Sequence, residues 1–254
     1  MTQQNQRRRK RKAEGEARGD SSLPFEADTS ALVHATNLRR VAYRFFGALF
    51  LYPDEMRLAK WILTAEALAQ ERDVQVAFPF FQSWQRLLAR LQSLDESALG
   101  DLQETYISLF MVHRDDPPCL PYESFYRDPY GQAAGWVAAQ LEREYVAAGL
   151  ALAPSLRDLP DHVAVELEFM AFLCDREAEA WEHGALADGM RSLKKEHSFL
   201  EEHLGAWFPA FAQRVRRAAP QSLYAVAVEA ADAFVHHDRD WVRLLMKRIE
   251  GEMR

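Results

Sequence analysis

From Thr29 onward the apolar positions recur every three or four residues, with no sustained alternation of the kind a strand requires. Leu38, Val41, Ala42, Phe45, Phe46 and Leu49 form a first helical stripe, with Thr29 or Ser30 available as its cap and Pro53 as its stop. Pro53-Asp54 opens a second helix through Trp61, Ile62 and Leu68. A third, from about Phe78 to Leu94, carries Phe81, Trp84, Leu87, Leu88 and Leu91. A fourth, capped at Asp95 or Ser97, runs through Leu99, Leu102, Tyr106, Leu109 and Phe110. Pro117, Pro118 and Pro121 then exclude helix.

After Pro129 and Gly131 a fifth helix presents Trp136, Leu141, Tyr145 and Val146 and closes at Gly149. Pro160-Asp161-His162 opens a sixth with Asp161 as N-cap; Val163, Leu167, Met170 and Cys174 face inward until Gly184. Further helices are expected over about 186–204, 207–218 and 222–249, broken near Gly205–Pro209 and at Pro220. The pattern predicts an all-α single domain over 29–254, with nine to eleven helices and Pro-rich loops. Residues 1–28, charged and without apolar period, predict a disordered basic tail.

Composition adds little to this picture. Hydrophobic residues at 48% and charged residues at 27% are ordinary for a soluble domain, and no stretch nears the roughly 20 apolar residues of a membrane span. Two cysteines, Cys119 and Cys174, form neither a disulfide framework nor a CxxC pair, so a reducing compartment is the default. Charge is more informative. Residues 1–20 hold seven Lys or Arg against three Asp or Glu, so the net −7 divides into +4 for that arm and −11 for the rest. An acidic body favours basic partners and disfavours nucleic acid. Arg7-Arg8-Arg9 lacks the apolar run of an export signal, and the tail is read as a solvated arm.

Catalytic signatures are missing: there is no GxSxG, no GxxxxGK[ST] and no HExxH. His162 and Glu166, four apart, share a helix face and could hold a metal, but no third ligand is identifiable, and an intrahelical contact explains the spacing as well. His197 and His203, six apart, fall on opposite sides of a regular helix, while His236, His237 and Asp238 diverge around theirs. Glu166 lies at the edge of the buried stripe and needs either an ion-pair partner or a cationic ligand. The segment Glu104–Tyr126 sets a helix face beside a stiff loop bearing Tyr122, Glu123, Ser124, Phe125 and Tyr126. Such an arrangement serves equally as core plus connector or as the wall of a pocket.

Three segments taken together resemble one family. They are Tyr106-x-x-Leu109-Phe110 with Pro121-Tyr122-Glu123-Ser124-x-Tyr126; Pro160-Asp161-His162 leading into Glu166-Leu167-Glu168-Phe169-Met170; and Phe199-Leu200 through His203-Leu204 to Trp207-x-Pro209-x-Phe211. Their order resembles the TorD/DmsD/NarJ family of all-helical cytoplasmic chaperones for molybdenum oxidoreductases, over about residues 32–246. Pro117-Pro118-Cys119 resembles the branch serving type II dimethyl-sulfoxide-reductase-like enzymes.

The resemblance implies a non-enzymatic, cofactor-free chaperone that binds an apo catalytic subunit, often through its twin-arginine signal peptide, and delays export until the molybdopterin cofactor is inserted. It maps a peptide pocket onto Tyr106, Leu109, Phe110, Pro121, Tyr122, Asp161 and His162, to which Glu123, Ser124 and Glu166 are added here. Apolar side chains would take the peptide's apolar run and carboxylates its guanidiniums. Two other readings stand beside it: a helical scaffold that stays with the mature enzyme, and a metal-dependent enzyme using His162, Glu166 and a C-terminal histidine. A monomer or a domain-swapped dimer is compatible with the long loops.

Overall fold

The computed structural model describes residues 29–70, 81–111, 119–127, 134–150 and 159–252 of the 254-residue chain. The basic tail and the Pro117-Pro118, Pro129 and Pro154 segments lie outside them. Among the described residues there are ten α-helices: α1 (Thr29–Leu49), α2 (Glu55–Gln70), α3 (Phe81–Gln92), α4 (Leu99–Phe110), α5 (Glu123–Arg127), α6 (Ala134–Ala147), α7 (Val163–Glu182), α8 (Leu186–Phe199), α9 (Gly205–Ala218) and α10 (Leu223–Glu252). No strand occurs among the described residues; one isolated antiparallel bridge pairs Tyr122 with His162.

Helix starts follow short polar side chains. Asp54 accepts the Arg57 N–H at 2.8 Å, and Asp95 accepts the Ser97 N–H at 2.9 Å to start the 3₁₀ turn Glu96–Ala98 that feeds α4. α1 already includes Thr29 and Ser30, so its cap falls outside the described residues. Gly149 and Gly184 take left-handed φ of 87° and 64° just past α6 and α7, where a side chain would be strained.

The central pair is α1 along α7, with α8 against α7 and α10 across α3, α8 and α9. Their shared core is aromatic: Phe46, Phe50, Trp61, Trp84, Trp207, Phe208, Phe211, Tyr224 and Phe234 are all buried. Truncating any of these to Ala should cost about 3–5 kcal/mol. Most of the expected stripes point inward, with one correction. On α6 the core face is Val137, Leu141 and Tyr145, whereas Trp136 and Val146 are 57% and 63% exposed.

A polar cluster sits where α1, α7, α8 and α10 meet. The Arg39 guanidinium donates to Glu177 at 2.5 Å, to Asp238 at 2.5 and 3.1 Å, and to Glu196. Tyr43 adds an O–H to Asp238 at 2.6 Å, and Trp181 adds its indole N–H to Glu177 at 2.8 Å. Every charged member is sealed from solvent. Burial works against the charge on Arg39, but Asp238 and the neighbouring acids hold its pKa above the usual value. Burial likewise lifts the Glu196 carboxyl well above the usual range, despite Arg39. Burial thus favours the neutral form of Glu196, which lessens the excess of acid around Arg39.

Two further corrections concern α7–α9. His162, not Asp161, caps α7: its Nδ1 accepts the Ala164 N–H at 3.1 Å. The break expected near Gly205–Pro209 does not occur. Instead a π-helical turn, Leu200–Leu204, carries α8 directly into α9, with the Gly205 N–H reaching Leu200 O. A Cβ at position 205 would lie 2.3 Å from that carbonyl oxygen, so the turn requires glycine. The change of register lets the chain absorb Pro209 inside α9 rather than stop there.

Candidate functional site

The loop ahead of α5 and the start of α7 are laced together through their backbones. Glu123 N–H donates to Asp161 O at 3.0 Å, and Val163 N–H donates to Pro121 O at 2.8 Å. The Ser124 N–H donates to Asp161 Oδ2 at 3.2 Å, and the Tyr122 and His162 rings meet edge-on at 5.1 Å. The loop and Asp161-His162 thus lie side by side, as the sequence led us to expect. Asp161 is occupied here, as an acceptor for the loop rather than as a helix cap.

Beneath this clamp lies a second buried cluster. Glu123 is fully buried, and its two oxygens serve different cations: Oε1 accepts Arg127 Nη1 at 2.6 Å, and Oε2 accepts His203 Nδ1 at 2.8 Å. His203 Nε2 faces Glu144 Oε1 at 3.1 Å. An imidazole with a carboxylate on each nitrogen satisfies both only as the doubly protonated cation. Burial opposes that charge, yet the hydrogen bonds and charges of Glu123 and Glu144 outweigh it and raise the His203 pKa to about 9. Burial also opposes the charge on Glu144, but the bond to His203 holds its pKa below the usual value.

Glu166 is fully buried rather than at the edge of its stripe. Trp207 donates its indole N–H to Oε2 at 3.0 Å. Burial first, and the Glu123 charge second, push the Glu166 carboxyl well above its usual range. Asp161 Oδ1 and Glu166 Oε1 are buried with no protein hydrogen-bond partner. Tyr145 closes the floor, donating its O–H to Pro160 O at 2.9 Å.

The third group of expected residues lies deeper. Tyr106, Leu109 and Phe110 are buried on α4, and the Tyr106 O–H donates to Phe50 O at 3.1 Å. Their rings connect to the acidic cluster through aromatic contacts. Tyr106 meets Phe110 at 5.0 Å, Phe110 meets Phe211 at 6.0 Å, Phe211 meets Tyr126 at 5.9 Å, and Tyr126 stacks on Trp207 at 5.4 Å. Tyr52, Ile107 and Met111 keep this end partly exposed, at 41%, 38% and 48%, with Tyr52 against Tyr106. The ten expected site residues therefore form two groups, one aromatic and one around the acids, all buried except the half-buried Tyr122, and joined by Tyr126, Trp207 and Phe211.

His203, Arg127 and Glu144 were missed as site residues. By spacing, His203 is weighed only as a partner of His197; it does take part in a cluster, but with Glu123 and Glu144 from other helices. Of metal-type groupings among the described residues, the one trio within 4.8 Å is Cys174, Glu177 and Glu196, beside Arg39; it includes neither His162 nor Glu166.

The family model described as "Nitrate reductase delta subunit" matches residues 75–213, more than half of the chain. The chain belongs to this family. That match runs from α3 into α9 and therefore takes in the clamp, the acidic cluster and the π turn. The family's TorD/NarJ relationship, which the three segments suggested, holds among the relatives. The chain is 33% identical over 152 residues to the chaperone protein TorD of Vibrio cholerae, covering 60% of this chain and 66% of that one, just under two thirds of its length. It is 32% identical over 151 residues to the chlorate reductase assembly chaperone protein of Ideonella dechloratans, covering 59% of this chain and 74% of the relative. The selenate reductase assembly chaperone protein of Thauera selenatis matches to the same extent. Among solved structures, a proposed redox enzyme maturation protein from Archaeoglobus fulgidus superposes with a TM-score of 0.52 at 25% identity, over 78% of this chain and 93% of that one.

Proposed function

We propose that this protein is a redox-enzyme maturation chaperone, not a catalyst, that holds the apo catalytic subunit of a molybdenum oxidoreductase while its cofactor is inserted. The finer part of the reading is that it takes the subunit's twin-arginine signal peptide at the junction of α5 and α7. One observation carries this part. The clamp gathers Glu123, Asp161 and Glu166 under a short segment, with aromatic rings leading away from them, which suits two guanidiniums followed by an apolar run. Membership in a family whose relatives are named as assembly chaperones supports the coarser part. Among the described residues no helix is long and apolar enough to cross a membrane; the proposed action before export calls for a cytoplasmic protein.

Isothermal titration with the client's N-terminal peptide tests the reading. Wild type should bind, and Asp161→Asn, which keeps an acceptor for the Ser124 N–H but removes the charge, should bind about tenfold more weakly. No binding of either peptide or apo-subunit would rule the reading out. The family's "delta subunit" description favours one alternative, a scaffold that remains in the mature enzyme. Purifying the assembled oxidoreductase separates the two, because a scaffold copurifies in stoichiometric amount and a chaperone does not.

A further inference from the structure

The acidic cluster already holds a guanidinium. Arg127 Nη1 lies between Glu123 Oε1 at 2.6 Å and the Glu202 carbonyl oxygen at 2.8 Å. Arg127 joins a five-residue helix to the π turn, since Glu202 and His203 both belong to Leu200–Leu204. Its side chain is 33% exposed, while the Glu123 carboxylate behind it is completely buried. Arg127 is thus the group standing between solvent and that carboxylate. A buried carboxylate with a carbonyl oxygen beside it is a recognition element for a planar, multi-donor cation rather than for a strongly hydrated ammonium. Two further acceptor atoms in the same junction, Asp161 Oδ1 and Glu166 Oε1, are buried without a hydrogen-bond partner.

Resting on the signal-peptide reading above, we infer that Arg127 is an internal occupant of a guanidinium site, displaced when an arginine of the client peptide takes its place on Glu123 and Glu202. The exchange is feasible because the incoming group repeats the chemistry of the outgoing one. No buried charge is left uncovered, and His203 keeps its hold on the other Glu123 oxygen throughout. The leaving side chain is already one third in water, so its release costs little. The resident arginine also sets a threshold: a peptide must offer arginine, not lysine, to match the bond it breaks.

The test uses the full chain with Arg127→Ala. Amide exchange is read at Glu123, Ser124 and Val163, whose N–H groups close the clamp on Asp161 O, Asp161 Oδ2 and Pro121 O. The variant should exchange about tenfold faster at these amides. Millimolar N-acetyl-arginine methylamide should restore protection, and the lysine analogue should not. Arg214→Ala removes a neighbouring cation, one that lies over the Phe125 ring at 5.2 Å, and should behave as wild type. Protection unchanged in Arg127→Ala, or equal rescue by lysine, overturns the inference. In a second arm, a twin-arginine peptide should bind Arg127→Ala about tenfold more tightly than wild type; equal or weaker binding also overturns the displacement. Rescue by the arginine amide with no peptide binding to any variant would instead leave the guanidinium site standing and remove the signal-peptide reading.

Discussion

Two buried clusters in this protein use the same chemistry, carboxylates gathered around a cation, to different ends. The Arg39 cluster is sealed. Its guanidinium touches three acids on three helices, and the side chains are between 0% and 4% exposed. The Glu123 cluster is sealed only at its centre. Its outer members, Arg127 and Glu144, are 33% and 36% exposed. A cation enclosed on every side works as a tie between helices. A cation at the rim, over a carboxylate with none of its own surface, can be exchanged. Position relative to solvent, rather than the residue types, separates the structural cluster from the candidate binding one.

Removing the central cation of each cluster should separate them most sharply. Arg39→Met leaves Glu177 and Asp238 buried without compensation and should lower stability by about 3–5 kcal/mol in urea denaturation. Arg127→Ala should cost only about 1–1.5 kcal/mol, in line with tenfold faster exchange at the clamp, because the Arg127 end of its pair reaches solvent and His203 still covers Glu123. Equal losses from the two variants would erase the distinction. Next in size, Gly205→Ala forces a Cβ against Leu200 O in the π turn and should cost about 1–3 kcal/mol. It should also speed amide exchange at Glu123 and Ser124, since the turn positions His203, while leaving the amides around Arg39 unchanged.

The pH dependence is a smaller test of the same contrast. His203 is raised to about 9, so the folded state keeps a proton that the unfolded chain releases near its ordinary value of roughly 6.5. Its stabilisation is complete below that ordinary value and is lost as pH rises through about 9. The raised Glu166 carboxyl acts in the same direction, since the unfolded chain gives up that proton first. Stability should therefore fall between about pH 6.5 and 9, and His203→Gln should flatten that limb of the curve in thermal melts. A wild-type curve already flat there would remove the imidazolium from the account.

Most of the helices were legible in the apolar pattern, while the pairing of the Pro121 loop with Asp161-His162 was implied only by the family resemblance. Apolar period and short polar caps are local signals, and Asp54 and Asp95 act where their positions imply. The clusters were not legible. Arg39 finds its partners 138, 157 and 199 residues away, and nothing local marks a carboxylate on a long helix as inward rather than solvated. His203 lies on the regular buried stripe of Leu193, Glu196, Leu200 and His203, but nothing local marks a histidine there as the partner of Glu123, 80 residues away. Asp161 was expected to cap α7, but it accepts a backbone N–H from the loop and His162 caps the helix instead. Trp136 and Val146 were read as core because an aromatic or branched residue at helical spacing carries no sign of which stripe is buried.

The central claim is that the rim cluster, and not the sealed one, receives the client. Amide exchange of the full chain with and without the client's twin-arginine peptide tests it most directly. The account predicts slowed exchange confined to 121–127, 159–166 and the π turn, with α1 and α8 around Arg39 unaffected. Protection appearing around Arg39 while the α5–α7 junction stays unchanged would contradict it.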